Sequence, residues 1–485
     1  MKPLLHIVIL AAGKGQRMRS NLPKVLHPLA GRSLLSHVVA AARAIEPTRI
    51  HIVHGHRGDL LRRALTDSDI EWIEQKEQLG TGHALAQALP SIPDEAVVMV
   101  LYGDVPLIRP DTLRKAMAAR DADGDRGVAL VTLKVTDPHG YGRILRDHRG
   151  RLIGVIEEAD ANEEQRRIRE INTGILTATA GILRTHLSGD SRDDSASVNA
   201  QGECYLTDIL ALVAADGHLV RTVSPQTTEE VLGVNDRGQL ARLERFEQAR
   251  IAESLMRAGA GIADPARIDI RGRLRTGIDV FIDIDAVFEG DVVLADGVRI
   301  GPGCVIRDTT IGPGTEVLAH SVIEGAEIGA ACRIGPFARL RPNTKISQGA
   351  AVGNFVEIKN STVGEGTKAN HLSYLGDAQI GASANIGAGS ITCNYDGADK
   401  HPTVIGDGAF IGSGTMLVAP ITVHRGATIG AGSTITKNAP PDTLTLSRAS
   451  QRSLKSWRRK SPPEKSESPV PESDSDSDST PDSGS

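Results

Sequence analysis

A short apolar run that breaks into glycine and basic residues is the first feature of this chain that could do chemistry. Residues 7–18 read IVILAAGKGQRM, which includes Lys14 and Arg17, and Arg19 and Lys24 follow closely. A buried parallel strand that ends in glycine opens a loop of free backbone N–H groups, and such a loop can hold phosphates. The cations suit a polyanion such as a nucleoside triphosphate. An ordinary strand followed by a basic loop would give the same pattern.

A carboxylate after a second apolar run is a candidate metal ligand. Asp104 lies in LYGDVPL, directly after the strand-like run Ala96 to Leu101. Open α/β sheets bind ligands beyond the carboxyl ends of their parallel strands, and Mg²⁺ prefers one or two carboxylates together with substrate phosphates. A turn-forming aspartate fits the same position equally well. The polar segment Gln75 to Gly82 could recognise a base edge or could be a plain surface loop.

Alternating strand-like and helix-like stretches must position these residues. The apolar runs Ile50 to Val53, Ala96 to Leu101 and Val128 to Leu133 lie within residues 1–235, and the alternation predicts an α/β layered domain. A connecting helix is predicted next, with Gly259 as its C-cap. The apolar residues at helical spacing that predict this helix are Leu240, Leu243, Phe246, Ile251 and Leu255.

The chain changes character near residue 259. Of its 51 glycines, 29 fall between Gly259 and Gly432, and Ile-Gly or Val-Gly pairs return there at separations within one residue of a multiple of six. The pairs begin at Ile300, Ile311, Ile328, Ile334, Val352, Val363, Ile380, Ile386, Ile405, Ile411 and Ile429. This register predicts a parallel β-helix of hexapeptide repeats and excludes a glycine-rich linker. The one-residue slips predict loops that leave the coil, and a site is predicted at the longer gaps around Leu340 to Ala351 and Thr392 to Thr403.

Composition and charge narrow the class of protein. A length of 485 residues predicts two or three domains. Residues 461–485 hold seven acidic residues and one lysine, whereas the whole chain has a formal net charge of −5. The rest of the chain therefore has a net charge of about +1, which gives no argument for nucleic acid as a partner. That Pro/Ser/Asp tail is predicted to be disordered. Four scattered cysteines and the lack of any apolar run near 18 residues favour the cytoplasm and no transmembrane segment.

Ordered motifs in both halves make the chain resemble the bifunctional bacterial glucosamine-1-phosphate N-acetyltransferase/N-acetylglucosamine-1-phosphate uridylyltransferases. The resemblance covers about residues 5–459 and rests on LAAGKGQRM, LPKVLH, EQLGTGHA, LYGDVPL, GYGRI, EINTGI and GVND, then on GPFARLRP, GNFVEIK, HLSYLGD, NIGAGSITCNYDG and LSR. It implies a homotrimer packed through the helices. Gln16 and Cys204 depart from the usual Thr and Tyr. The implied parts are a Rossmann-like α/β nucleotidyltransferase domain at 1–237, a helical linker at 238–258, a left-handed parallel β-helix at 259–460 and the tail at 461–485.

The resemblance also implies two consecutive reactions and the residues for each. Acetyl-CoA would acetylate glucosamine 1-phosphate, and UTP with Mg²⁺ would convert N-acetylglucosamine 1-phosphate into UDP-N-acetylglucosamine, a precursor of peptidoglycan and lipopolysaccharide, with release of pyrophosphate. In uridylyl transfer Arg17 would be catalytic, Asp104 and Asn235 would hold the metal, and uracil would lie against Gln75. The implied nucleotide and sugar contacts are Leu10, Ala11, Ala12, Gly13, Lys24, Gln75, Gly80, Thr81, Tyr102, Gly103, Asp104, Gly142, Glu157, Asn172 and Asn235.

In acetyl transfer His371 would be the general base, since a neutral imidazole can take an ammonium proton near neutral pH. Cys393 precedes Asn394 in the motif ITCNYDG, but direct acetyl transfer without an acetyl-cysteine intermediate is expected. The implied sugar-phosphate contacts are Arg341, Lys359, Tyr374 and Asn385, and the implied acetyl-CoA contacts are Ala388, Asn394, Tyr395, Ser413, Ala431 and Arg448.

Two competing interpretations are weighed by which residues are present. A single-activity sugar-1-phosphate nucleotidyltransferase with a structural β-helix, like ADP-glucose pyrophosphorylase, would not need His371, Asn394 and Arg448, and all three are present. A non-enzymatic scaffold, like the guanine-nucleotide exchange subunits of translation, would be expected to lose cations or metal ligands of the first site, and the chain keeps them. The sequence therefore favours the bifunctional enzyme.

Overall fold

The N-terminal part of the chain folds around one mixed β-sheet. The computed structural model describes residues 4–55, 57–124, 127–187 and 205–459. The strands of this part are β1 (Leu5–Ala11), β2 (Pro28–Leu29), β3 (Arg32–Ser33), β4 (Arg49–His54), β5 (Ile70–Glu74), β6 (Val97–Tyr102), β7 (Val128–Lys134), β8 (Arg143–Arg146), β9 (Leu152–Ile156), β10 (Glu170–Thr179) and β11 (Val220–Val223). Nine of them form a sheet in the order β11-β7-β10-β6-β1-β4-β5, with β8 attached at β10 and β9 at β8. β1 pairs in parallel with β4 and β6, so it lies at the centre of the sheet.

Helices pack on both faces of this sheet. They are α1 (Leu34–Arg43), α2 (Gly58–Ala64), α3 (Thr81–Ala88), α4 (Pro110–Asp121), α5 (Glu163–Arg166), α6 (Ala180–Leu187) and α7 (Asp208–Ala215). Ile7 and Ile9 join a core cluster with residues of α1 and α4, while Val8 and Leu10 join a second cluster with α3, α6 and α7. Alternate side chains of a strand point to opposite faces, which explains the unbroken apolar run at β1.

A single helix, α8 (Arg237–Arg257), joins the sheet domain to the coil, as predicted. Asp236 caps its N-terminus, and Gly259, with a φ of 107°, follows its C-terminal end. The Gln248 carboxamide pairs with both backbone polar groups of Ile270 in the coil, each at 2.8 Å. The Glu244 carboxylate accepts from the backbone N–H of Ala30, 2.8 Å away in the sheet domain. The helix is therefore bonded to both parts.

The remaining strands form a parallel β-helix with three faces, which confirms the predicted fold class. Face one is an 11-stranded sheet, and faces two and three share a 17-stranded sheet that begins with the long strands β13 (Ile268–Thr276) and β15 (Ala286–Leu294). Face one contains β12 (Gly261–Ile262), β14 (Phe281–Ile282), β16 (Arg299–Ile300), β19 (Glu316–Val317), β22 (Arg333–Ile334), β25 (Ala351–Asn354), β28 (Lys368–His371), β31 (Asn385–Ile386), β34 (Phe410–Ile411), β37 (Thr428–Ile429) and β39 (Leu444–Thr445). Face two contains β17 (Val305–Arg307), β20 (Val322–Glu324), β23 (Arg339–Leu340), β26 (Glu357–Lys359), β29 (Tyr374–Gly376), β32 (Ile391–Cys393), β35 (Met416–Val418) and β38 (Thr434–Ile435). Face three contains β18 (Thr310–Ile311), β21 (Ala326–Ile328), β24 (Thr344–Ile346), β27 (Thr362–Val363), β30 (Ala378–Ile380), β33 (Thr403–Ile405) and β36 (Ile421–Val423).

Branched side chains fill the interior of the coil. Each of the eleven Ile or Val residues that begin the repeated pairs is at most 4% exposed. The chain turns between faces one and two at the first corner, between two and three at the second corner, and between three and one at the third corner. Among the described helices, none is long and apolar enough to cross a lipid bilayer.

The two longer gaps in the repeat differ in structure. Between β32 and β33 the chain leaves the coil, and Tyr395 bridges to Lys400 inside the resulting loop. Over Leu340 to Ala351 the chain stays in the β-helix, because β23, β24 and β25 keep their pairing with the next coil. Ser347 stands there where other coils have glycine, so the repeat is masked although the fold continues. The acidic tail and Cys204 lie outside the described residues.

Candidate functional site

The glycine-rich segment after β1 forms one wall of a cleft of about 650 Å³. Gly15 has a φ of 59°, and a Cβ there would lie 2.7 Å from the Cβ of Lys24, so glycine is needed for the two segments to approach. Arg17 lines the cleft and is exposed, and neither it nor Lys14 is paired with another described residue. Their charges are therefore available to an anionic ligand.

Three side chains converge at the floor of this cleft. The ammonium group of Lys24 donates to the carboxylate of Asp104 and, at 3.2 Å, to Oδ1 of Asn235. The backbone N–H of Val234 donates to the carbonyl of Asp104 at 2.9 Å, which ties the GVND segment to the end of β6. A carboxylate oxygen of Asp104 and the amide oxygen of Asn235 thus both contact the ammonium group of Lys24. Oxygen ligands that converge in this way suit Mg²⁺, so the predicted metal pair fits its role.

The predicted base-binding residues also line this cleft. Gln75 is only 3% exposed, and its Nε2 donates to the carbonyl of Gly80 at 3.1 Å. Gly80 immediately precedes α3, and Thr81 Oγ1 accepts from the backbone N–H of Leu206 at 3.0 Å. The Leu10 carbonyl accepts from the N–H of Gly103 at 2.9 Å, which joins the phosphate-loop wall to the end of β6. Leu10 to Gly13, Gln75, Gly80 and Thr81 all line the cleft.

The predicted sugar-binding residues form one contiguous group beside the cleft. The backbone N–H of Asn172 donates to the carbonyl of Gly142 at 2.8 Å, and its side chain accepts from Gly174 at 2.9 Å. A Cβ on Gly174 would lie 2.3 Å from the ring of Tyr102, and one on Gly142 would lie 3.1 Å from each carboxylate oxygen of Glu157. Burial raises the pKa of Glu157. The structure therefore brings Tyr102, Gly142, Glu157 and Asn172 together, as the resemblance implied.

In the coil, the predicted base and four predicted acetyl-CoA contacts form a column along the first corner. The pairing of β28 with β31, continued by two residues, sets His371 beside Ala388. The carbonyl of Ala388 accepts from Gly414 at 2.7 Å, that of Ser413 accepts from Gly432 at 2.8 Å, and that of Ala431 accepts from Arg448 Nη1 at 2.7 Å. Adjacent coils lie about 4.8 Å apart, so the column rises roughly 14 Å from His371 to Ala431. An extended ligand can lie along it.

The imidazole of His371 is oriented by Asn354 on the preceding coil. The distance from His371 Nδ1 to Asn354 Oδ1 is 3.0 Å, and their strands place the two residues opposite each other. An amide oxygen only accepts, so Nδ1 carries the proton and Nε2 keeps its lone pair. His371 is exposed, and Nε2 is therefore accessible to a substrate.

Charges stacked at the end of face two identify a candidate anion site. Six residues follow one another in register along the coil: Arg271, Glu289, Arg307, Glu324, Arg341 and Lys359. Their signs alternate until Arg341 and Lys359, where two cations adjoin. Lys400, from the loop after β32, contacts Lys359, and these neighbouring cations lower the pKa of Lys359. Glu357 pairs with Arg341 at 2.9 Å and offsets part of this charge. The remaining excess of cations suits a phosphate.

Tyr374 and Asn394 reach the same corner as these cations. A Cβ on Gly376 would lie 2.4 Å from the hydroxyl oxygen of Tyr374 and 2.8 Å from Nδ2 of Asn394. Asn394 is buried and donates to Asp377 at 2.5 Å. Tyr395, in the adjoining loop, is 61% exposed.

Asn385 is not brought to this group within one chain. It opens β31 at the third corner, in register with Lys368, whereas Arg341 and Lys359 lie at the second corner and His371 at the first. The predicted acetyl-transfer residues are thus divided among all three corners of a single coil.

Three residues in contact with the predicted sites were missed in the sequence. Lys400 lies inside the gap from Thr392 to Thr403 where a site was predicted, but only the fold shows that the loop formed there returns to Lys359. Asn354 and His83 stand inside GNFVEIK and EQLGTGHA, so these motifs were the available signal. Their contacts depend on pairing between neighbouring segments, which the motifs do not reveal.

Comparison with known proteins agrees with both halves of the structure. Residues 7–175 match the MobA-like NTP transferase domain, and residues 402–437 match the bacterial transferase hexapeptide of six repeats. A curated relative from Alkalilimnicola ehrlichii, named bifunctional protein GlmU, is 55% identical over 459 residues, covering 95% of this chain and 97% of its own. Proteins of the same name from Marinobacter nauticus and Azoarcus sp. strain BH72 are each 54% identical, covering 95% and 94% of this chain and 99% of their own. This chain therefore belongs to the GlmU family of bifunctional acetyl- and uridylyltransferases.

Proposed function

We propose that the coil acetylates glucosamine 1-phosphate with acetyl-CoA and that the N-terminal cleft then transfers uridylyl from UTP to the N-acetylglucosamine 1-phosphate formed. The products are CoA, pyrophosphate and UDP-N-acetylglucosamine, a precursor of peptidoglycan and lipopolysaccharide. The observation that supports uridylyl transfer is the position of the Asp104 and Asn235 side-chain oxygens. Both accept from the ammonium of Lys24 in the cleft that the basic loop lines.

In uridylyl transfer, the sugar-phosphate oxygen attacks the α-phosphorus of UTP and pyrophosphate leaves. This chemistry needs positioning and charge neutralisation rather than a covalent nucleophile. Arg17, which pairs with no described residue, and the ammonium of Lys24 lie where negative charge would gather, and donors fixed in advance there stabilise the transition state. Asp104 and Asn235 would hold Mg²⁺, which would supply further positive charge to the phosphates. Tyr102, Gly142, Glu157 and Asn172 would hold the sugar.

In acetyl transfer, His371 Nε2 takes a proton from the ammonium of glucosamine 1-phosphate. The free amine attacks the thioester carbonyl carbon, the carbon–sulfur bond breaks, and the CoA thiolate leaves and takes up the proton that the nitrogen loses. The column Ala388, Ser413, Ala431 and Arg448 starts beside His371, so an acetyl-CoA molecule laid along it can present its thioester at the base. Arg341, Lys359 and Tyr374 would bind the sugar phosphate.

We further propose that the acetyl-transfer site is completed between copies of the chain in a homotrimer. The residues assigned to glucosamine 1-phosphate lie at the second corner of the coil (Arg341 and Lys359) and at the third (Asn385). The predicted base, His371, lies at the first corner. A single coil cannot close them around one small sugar, whereas neighbouring coils packed about a threefold axis can contribute different corners.

The scattered cysteines favour the cytoplasm as the location.

The proposal is tested by incubating the full chain with glucosamine 1-phosphate, acetyl-CoA, UTP and Mg²⁺ while free CoA and pyrophosphate are followed separately. Both products are expected, and CoA should appear before pyrophosphate. Pyrophosphate from N-acetylglucosamine 1-phosphate without any CoA release from glucosamine 1-phosphate would instead support a single-activity nucleotidyltransferase.

A further inference from the structure

The carboxamide of Gln75 is fixed by two acceptors on the same side. Its Nε2 carries two hydrogens, one directed to the carbonyl of Gly80 at 3.1 Å and the other to Nδ1 of His83 at 3.0 Å. A carbonyl can only accept, so the nitrogen and not the oxygen of Gln75 faces the turn. Its Oε1 has no partner among the described residues, and Gln75 lines the cleft. Oε1 of Gln75 is therefore an acceptor with a fixed direction, on a residue that lines the cleft.

His83 is itself held in a defined tautomer. It lies within α3, whose first turn begins directly after Gly80. Because Nδ1 accepts from Gln75, the ring proton is on Nε2, and Nε2 of the Gln87 carboxamide lies 3.1 Å from that ring nitrogen. Gln87 is exposed, so its carboxamide can turn its oxygen toward the ring and accept. The chain from Gly80 through Gln75 and His83 to Gln87 is then fully bonded.

We propose that His83 is a positioning residue that sets the preference of this cleft for uracil over cytosine, an inference that rests on the proposed uridylyl transfer. Uracil has an N–H donor at N3, which can donate to Oε1 of Gln75. Cytosine has an unprotonated nitrogen there, and its lone pair would face the lone pairs of Oε1. Without His83, the second N–H of the buried Gln75 loses its acceptor. The bond to the Gly80 carbonyl then holds the carboxamide alone, so the amide turns more readily and presents an N–H to the cleft, where it would favour cytosine.

The test compares UTP with CTP as substrate, using pyrophosphate release in the presence of N-acetylglucosamine 1-phosphate and Mg²⁺. We expect His83→Leu, which removes the acceptor at similar volume, to lower the ratio of kcat/KM for UTP to that for CTP about tenfold or more. His83→Asn places Oδ1 near the position of Nδ1 and should keep the ratio within about threefold of wild type. His83→Gln places its acceptor near Nε2 instead, and should resemble His83→Leu. This polar pair decides the question even if His83→Leu folds poorly.

Acetyl transfer by the same preparations reports whether the chain is intact. An equal fall in kcat/KM for both nucleotides, or the same ratio in the Asn and Gln variants, would overturn the role of His83. Failure of the wild-type chain to release pyrophosphate from UTP would overturn the proposed function and this inference with it. A retained UTP reaction with an unchanged ratio in every variant would overturn this inference alone.

Discussion

Asn354 offers a way to weaken acetyl transfer without removing a reacting group. Its Oδ1 holds the protonated Nδ1 of His371 at 3.0 Å and so leaves Nε2 as the base. In Asn354→Ala both neutral tautomers become available and the ring loses an anchor. A net hydrogen bond of about 1 kcal/mol is worth roughly fivefold, and loss of a partner that orients a functional histidine at a metal site costs about 10- to 100-fold. We therefore expect kcat for CoA release to fall about tenfold.

The matched control for this variant is Asn354→Asp, which keeps an acceptor in the same place and should lose less than about threefold. Asn354 is half-buried, so the melting temperature should stay close to that of the wild type. Pyrophosphate release from UTP and N-acetylglucosamine 1-phosphate should not change, since the cleft is built from other residues. Undiminished CoA release by Asn354→Ala, or an equal fall in both assays, would refute the reasoning.

Three further predictions concern charged groups. Arg17→Ala should lower pyrophosphate release about 10²- to 10³-fold while CoA release persists, because a preorganised charge is lost from one site only; equal losses would contradict separate sites. Burial lowers the pKa of His51 from 6.5 to about 4. The folded state disfavours protonation of His51, so the free energy of unfolding should be highest above pH 6.5 and decline as the pH falls toward 4. His51→Gln should flatten this decline when stability is measured by urea unfolding. An unchanged pH profile would contradict this prediction. A chain ending at Lys460 should keep both activities, and loss of either would show that the acidic tail contributes.

Local patterns were sufficient to predict the two halves of the fold. The apolar run at residues 7–10 is buried on both faces because helices cover both sides of the sheet, so no alternation was needed to identify β1. The repeated Ile-Gly pairs report the coil directly, since each inward Ile or Val must be followed by a residue that permits the turn. Where Ser347 replaces glycine this signal failed, although the coil continues.

The assembly of the sites depends on pairing between distant segments and could not be predicted from spacing. Arg341 and Lys359 are 18 positions apart, and only the coil register shows that they are adjacent members of a charge ladder. Asn385 was grouped with them by resemblance, yet it lies at another corner of the same chain. The contact of Lys24 with both Asp104 and Asn235 likewise requires the sheet to bring three remote segments together.

Two separate sites are proposed to act in a fixed order, and His371→Ala tests this order most directly. Given glucosamine 1-phosphate, acetyl-CoA, UTP and Mg²⁺, this variant should release neither CoA nor pyrophosphate. When N-acetylglucosamine 1-phosphate is supplied instead, it should release pyrophosphate at the wild-type rate. Pyrophosphate formed from glucosamine 1-phosphate by the variant, or its absence with the acetylated sugar, would contradict the account.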